Sequence, residues 1–173
     1  MISFLIDGRR AFFWIVFFLI ALSANAFALV LQYGFDIQPC VKCIDQRIAL
    51  YLVAISSLLA IIIPKHTFTF TLARIAALSS MAYSLYLSYL HFYEFYLSDM
   101  PSTSCSFEPS LPSWLPLHEW IPALFEVKGM CGKTEWTFLG YDLVAHTFFG
   151  LTFMAVLLLA GLIPNDLLLK KKG

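Results

Sequence analysis

Four cysteines carry the chemistry open to this chain: Cys40 and Cys43 in a Cys-x-x-Cys step, and Cys105 and Cys131 farther along. A Cys-x-x-Cys step alone serves redox centres, zinc sites and structural bridges alike. Here Pro39 precedes it and an apolar run follows within a few residues, which puts both sulfurs near the start of a helix. The positive end of a helix favours a thiolate, and Lys42 between the two cysteines adds a second positive charge. If the helix reaches back to Cys40, then Cys40, Cys43 and Arg47 follow i, i+3, i+7 spacing and share one face. An arginine one turn deeper than Cys43, at the lipid boundary, is costly unless it snorkels to the headgroups or meets an anionic partner. A lipid-dissolved quinone is such a partner, since its carbonyl oxygens become anionic on reduction and a guanidinium stays charged. Cys43 would then supply the electrons. His91 is a second polar group at similar depth, and it reads either as a hydrogen-bond donor to the quinone ring or as a packing residue among Tyr89, Phe92 and Tyr93.

Cys105 is flanked by Pro101, Ser102 and Ser104, and Cys131 by Gly129 and Gly132. Such surroundings read as flexible, which suits a disulfide that another protein must reach and reshuffle. A static loop staple is the competing reading. Four cysteines allow three pairings, and spacing leaves them open.

The elements that must hold these groups are membrane helices. The 173 residues are 60% hydrophobic and 13% charged, too apolar for a water-soluble domain. Runs without Asp, Glu, Lys or Arg extend from Ala11 to Phe35, Ile48 to Pro64, Ile75 to Tyr93 and Leu143 to Asn165. A span needs roughly 17 to 25 residues to cross about 30 Å of hydrocarbon, and backbone groups in lipid must be satisfied within the segment. The expectation is an all-α membrane protein: a single domain over 1–173, a four-transmembrane-helix bundle with helices at about 11–33, 44–63, 72–93 and 143–164. The loops outside the membrane fall at about 34–43 and 94–142. The first run carries small-x-small steps at Ala24-Asn25-Ala26 and Ala26-Phe27-Ala28, but it is too long for a signal peptide and is read as a retained helix.

Basic residues flank one side of these helices: Arg9 and Arg10, Lys65 and Arg74, then Lys170 to Lys172. That side is expected to be cytoplasmic, with both termini on it and both cysteine pairs opposite. The net charge of zero gives no sign of nucleic-acid binding. In the long loop, Leu111 to Pro122 mixes prolines, aliphatics, Trp114 and Trp120, a composition suited to a short helix lying on the membrane surface and touching lipid.

The stretch Gln38-Pro39-Cys40-Val41-Lys42-Cys43-Ile44-Asp45-Gln46-Arg47 closely resembles the DsbB family of bacterial disulfide-generating membrane proteins. Trp114-Leu115-Pro116 and Trp136-Thr137-Phe138-Leu139-Gly140 look like family positions around the second cysteine pair, so the resemblance covers essentially the whole chain. It implies a thiol:quinone oxidoreductase of the inner membrane, using ubiquinone or menaquinone, that reoxidises a periplasmic DsbA-like thioredoxin-fold oxidase. The DsbA–DsbB–quinone relay is the known system that keeps the bacterial periplasm oxidising. Carried over by position, Cys105 takes the attack of the partner's cysteine, Cys131 is its loop mate, and Cys43 meets quinone beside Arg47, with His91 near a family quinone-site histidine. Lys42 departs from the apolar residue common at that place, and is expected to make the Cys40/Cys43 disulfide more oxidising.

Three other readings compete. A four-thiolate metal protein is disfavoured by the wide Cys105/Cys131 separation and by an oxidising compartment. A non-catalytic scaffold with two loop disulfides leaves Arg47 without a purpose. A quinone-coupled sister enzyme with a dedicated substrate shares the chemistry.

Overall fold

The computed structural model describes residues 11–63, 67–97, 111, 114–129 and 137–162. Long helices dominate: α1 (Ala11–Gly34), α2 (Val41–Ile62), α3 (Thr67–Tyr96) and α6 (Leu143–Leu162). Between α3 and α6 lie two single-turn helices, α4 (Leu117–Trp120) and α5 (Pro122–Phe125). A minimal antiparallel hairpin follows, with β1 (Thr137–Phe138) paired to β2 (Tyr141–Asp142) in the register Thr137 to Asp142. Leu139 and Gly140 turn it with positive φ values of 52° and 81°.

Among the described residues, α1, α2 and α6 are long and apolar enough to cross a membrane. α3 is longer, at 30 residues, but Arg74, His91, Glu94 and many serines and tyrosines dilute its hydropathy. α2 lies between α1 and α3, and α3 also packs on α6. Large apolar side chains cover the outside, among them Leu19, Phe27 and Val30 on α1 and Phe149, Phe153 and Val156 on α6. A water-soluble monomer rarely exposes so much contiguous apolar surface, and this is a membrane protein.

Lipid tails are as apolar as leucine, so packing and small residues, not water exclusion, hold such helices together. The apolar core fits that rule: Ala21, Ala54, Ala60, Ala73 and Ala77 let the backbones approach, while Trp14, Met81, Met154 and Leu158 fill between them. Trp14 meets Phe13 and Phe70 edge-on, at 5.4 and 6.1 Å between ring centroids. This core occupies the half of the bundle near the start of α1 and the end of α2. The other half is polar, with Gln32, Lys42, Asp45, Gln46, Arg47, Ser88 and His91 all buried.

Several boundaries differ from the sequence expectation. α2 starts at Val41, not near residue 44, because Cys40 is its extended N-cap (φ −82°, ψ 172°) and the first helical hydrogen bond already runs from Ile44 N–H to Cys40 O at 3.1 Å. α3 outruns 72–93 at both ends, its C-terminal aromatic turn being held by Phe92 stacked on Phe148 at 4.9 Å. The loops expected at 34–43 and 94–142 shrink accordingly. The second contains the hairpin, whose two-residue strands no alternation pattern could announce. Where a short surface helix is expected between Leu111 and Pro122, the described residues form only the single turn α4, and Pro122 opens the separate turn α5.

Candidate functional site

The site is built at the start of α2. α1 closes with Asp36 in the left-handed region (φ 54°) and Ile37 N–H returned to Leu31 O at 3.1 Å, which turns the chain into Gln38-Pro39. Proline fixes the approach and Cys40 caps α2 without a side-chain hydrogen bond to the helix. Cys40 Sγ and Cys43 Sγ lie 3.2 Å apart at the helix start, close enough that small side-chain rotations would bring them to the roughly 2.05 Å of a disulfide. A ring nitrogen of His91, from α3, joins them: the three ligand-type atoms all fall within 4.8 Å of one another. Such a set has the chemistry of a soft-metal site as well as that of a redox pair.

Because Cys40 is the cap, the expected three-residue face reduces to Cys43 and Arg47, one turn apart within the helix. Arg47 is only 4% exposed and does not snorkel. Its Nη1 donates to Gln32 Oε1 of α1 at 3.0 Å and to Leu124 O of α5 at 2.7 Å. Arg47 Nε and Gln46 Nε2 are buried donors with no partner among the described residues. Lys42 is ion-paired to Glu94, on α3 one turn beyond His91, so the positive charge expected beside the sulfurs is largely offset.

Residues 123–129 of the long loop dock onto this end. Tyr33 O–H donates to Ala123 O at 2.7 Å, Tyr51 meets the buried Phe125 edge-on at 5.9 Å, and Arg47 holds Leu124. Beyond α5, Lys128 and Gly129 both donate their N–H groups to Pro39 O, at 3.2 and 2.9 Å. A Cβ on Gly129 would run into the Gln38 carbonyl oxygen and stand 3.3 Å from the Pro39 carbonyl carbon. Gly129, read from sequence as a flexible flank, is therefore a point of close backbone approach. Cys105 and Cys131 lie outside the described residues; Cys131 follows this contact by two positions in the chain.

The sequence reading brought together Cys40, Cys43, Arg47 and His91 and missed Gln32, Glu94, Leu124 and Gly129. A glutamine deep in an apolar run was a usable signal for Gln32. Leu124 acts through its backbone, which no side-chain pattern reveals.

Residues 9–161 match the family model described as disulfide bond formation protein DsbB. The chain belongs to the DsbB family. A relative named disulfide bond formation protein B from Pasteurella multocida (strain Pm70) is 37% identical over 131 residues, 76% of this chain and 73% of its own length. Its counterpart from Shewanella frigidimarina (strain NCIMB 400) is 31% identical over 159 residues, 90% of this chain and 92% of its own. The family is one of disulfide-forming oxidoreductases, a chemistry that calls for thiols such as the Cys40/Cys43 pair.

Proposed function

We propose that this DsbB-family protein is a thiol:quinone oxidoreductase of the bacterial inner membrane, acting over residues 1–173 as one unit. It passes electron pairs from a DsbA-like periplasmic dithiol protein through two cysteine pairs to quinone. The observation that carries this reading is the set of Cys40, Cys43 and His91 at the outer end of α2, with Arg47 buried one turn below. In this reading α3 is the fourth span, both termini are cytoplasmic, and α4 lies at the headgroups with Trp114 and Trp120 exposed to lipid.

Each turnover begins when the partner's thiolate attacks Cys105 and opens its bond to Cys131, giving a transient mixed disulfide. The partner's second cysteine resolves it, leaving the partner oxidised and Cys105 and Cys131 as thiols. Exchange with the Cys40/Cys43 disulfide then restores the loop pair and leaves Cys40 and Cys43 reduced. The docking of Lys128 and Gly129 on Pro39 supports that exchange, since it ties the loop two residues before Cys131 to the residue before Cys40.

Arg47, Gln46 and His91 would hold the quinone next to Cys43. The fit rests on Arg47 Nε and Gln46 Nε2, buried donors whose lack of partners among the described residues is costly unless a ligand brings oxygen acceptors. When bound, a quinone supplies the sink for two electrons and two protons. Cys43 gives up its sulfur electrons as the bond to Cys40 reforms, and the fixed charge of Arg47 favours negative charge arriving beside it. Over the cycle one partner dithiol becomes a disulfide and one quinone becomes a quinol.

The test is stoichiometric. Purified protein supplied with reduced partner and quinone should form one disulfide per quinone consumed, and a Cys105→Ser variant should form none. Disulfide formation without quinone loss would sink the proposal.

A further inference from the structure

We propose that Lys42 and Glu94 are a positioning pair that fastens the Cys40–Cys43 turn to α3 and so sets His91 against the two sulfurs. The two residues stand 52 positions apart in the chain and meet across the α2–α3 contact, with side chains only 9% and 26% exposed. Lys42 is one of the two residues inside the Cys-x-x-Cys step, and Glu94 is three residues after His91 on the same stretch of α3. Residues three apart on a helix are neighbours, so a tether at Glu94 constrains the rotation and height of His91.

A lysine turned inward at this depth costs desolvation, and its mate offsets that cost without large net stabilisation. What such a pair supplies is register, because an ion pair is satisfied in one relative placement of two helices and an apolar contact in many. The charges of Lys42 and Glu94 cancel, so the pair fixes where His91 stands while the helix start and Arg47 set the charge felt by the sulfurs. The functional consequence rests on the reading of His91 as a quinone-side group, so the test carries one readout that does not involve quinone.

The full-length protein is compared with a neutral variant, Lys42→Leu/Glu94→Gln, and a swapped variant, Lys42→Glu/Glu94→Lys, both of unchanged net charge. Cd(II) added to the reduced protein reports position, because Cys40, Cys43 and His91 present their ligand atoms within 4.8 Å of one another. His91→Ala calibrates the loss of the third ligand in that titration. Groups that orient a ligand typically change metal affinity or activity by about 10- to 100-fold. The neutral variant should bind Cd(II) about tenfold more weakly and show kcat for quinone reduction lowered by a similar factor. Its Cys40/Cys43 equilibrium with glutathione should stay within about twofold of the parent, since cancelling charges have been removed together. The swapped variant should recover most of both losses. Parental Cd(II) affinity in the neutral variant, or a folded swapped variant with no recovery, overturns the proposal. Weakened Cd(II) binding with parental kcat upholds the pair as a positioning device and sinks instead the quinone-side role of His91.

Discussion

Arg47 reaches the backbone carbonyl of Leu124 at 2.7 Å, so the group buried beneath the Cys40/Cys43 pair also anchors the loop above it. The same nitrogen holds Gln32 at 3.0 Å, which makes Arg47 the point where α1, α2 and α5 meet. Arg47→Lys keeps the charge but gives up the longer, planar guanidinium whose Nη1 meets both acceptors. Hydrogen bonds to a charged group are worth about 1.5–3 kcal/mol each. The variant should lose at least tenfold in kcat/KM for quinone and become more open to proteolysis between residues 120 and 130. Steady-state kinetics and limited proteolysis check the two effects separately.

Gly129 sits where any side chain would strike the Gln38 carbonyl. Gly129→Ala should lift the loop from Pro39 and slow partner-driven turnover about tenfold, a cost of roughly 1.4 kcal/mol. Reduction of the Cys40/Cys43 disulfide by a small soluble dithiol in a Cys105→Ser/Cys131→Ser background should be unaffected. Parental partner-driven turnover in Gly129→Ala would show that the close approach does not matter to the exchange.

Single substitutions in the Lys42–Glu94 pair should move the Cys40/Cys43 potential in opposite directions. Lys42→Leu leaves a carboxylate beside the helix start and disfavours thiolate there, making the disulfide less oxidising; Glu94→Gln leaves the ammonium and does the reverse. A tenfold change in the exchange constant corresponds to about 30 mV for this two-electron couple. Redox titration against glutathione measures both, and shifts of the same sign would contradict the pairing. Lys42 was legible in the sequence as a charge near the cysteines, but its mate on α3 was not, because no local pattern links residues 52 positions apart.

How much the sequence revealed follows the range of the interaction involved. Charge-free runs located α1 and α6 to within a few residues, since the bilayer imposes length and apolarity segment by segment, whereas α2 begins well before its run because Lys42, Asp45 and Arg47 are buried inside the bundle. Cys43 and Arg47 were legible as one face because helical periodicity is local. Gln32, Leu124 and Gly129 act through contacts made only when distant segments dock, two of them through backbone atoms that every residue possesses. The hairpin at Thr137–Asp142 is too short for an alternating pattern.

The apolar half of the bundle should be separable from the chemistry. Ala77 is fully buried in the apolar core cluster, where its small methyl lets α3 pack closely. Ala77→Leu should overpack this contact and cost about 1–3 kcal/mol. Thermal unfolding in detergent should show a lower Tm, while the Cys40/Cys43 potential at low temperature stays parental.

In the proposed relay, electrons leave the protein through Cys43. Stopped-flow reduction of quinone by the fully reduced protein tests it most directly, comparing the parent with Cys43→Ser. One quinone should be reduced for each of the two reduced cysteine pairs in the parent, the loop pair discharging through Cys40 and Cys43, and none in the variant. Quinone reduction by Cys43→Ser at the parental rate would contradict it.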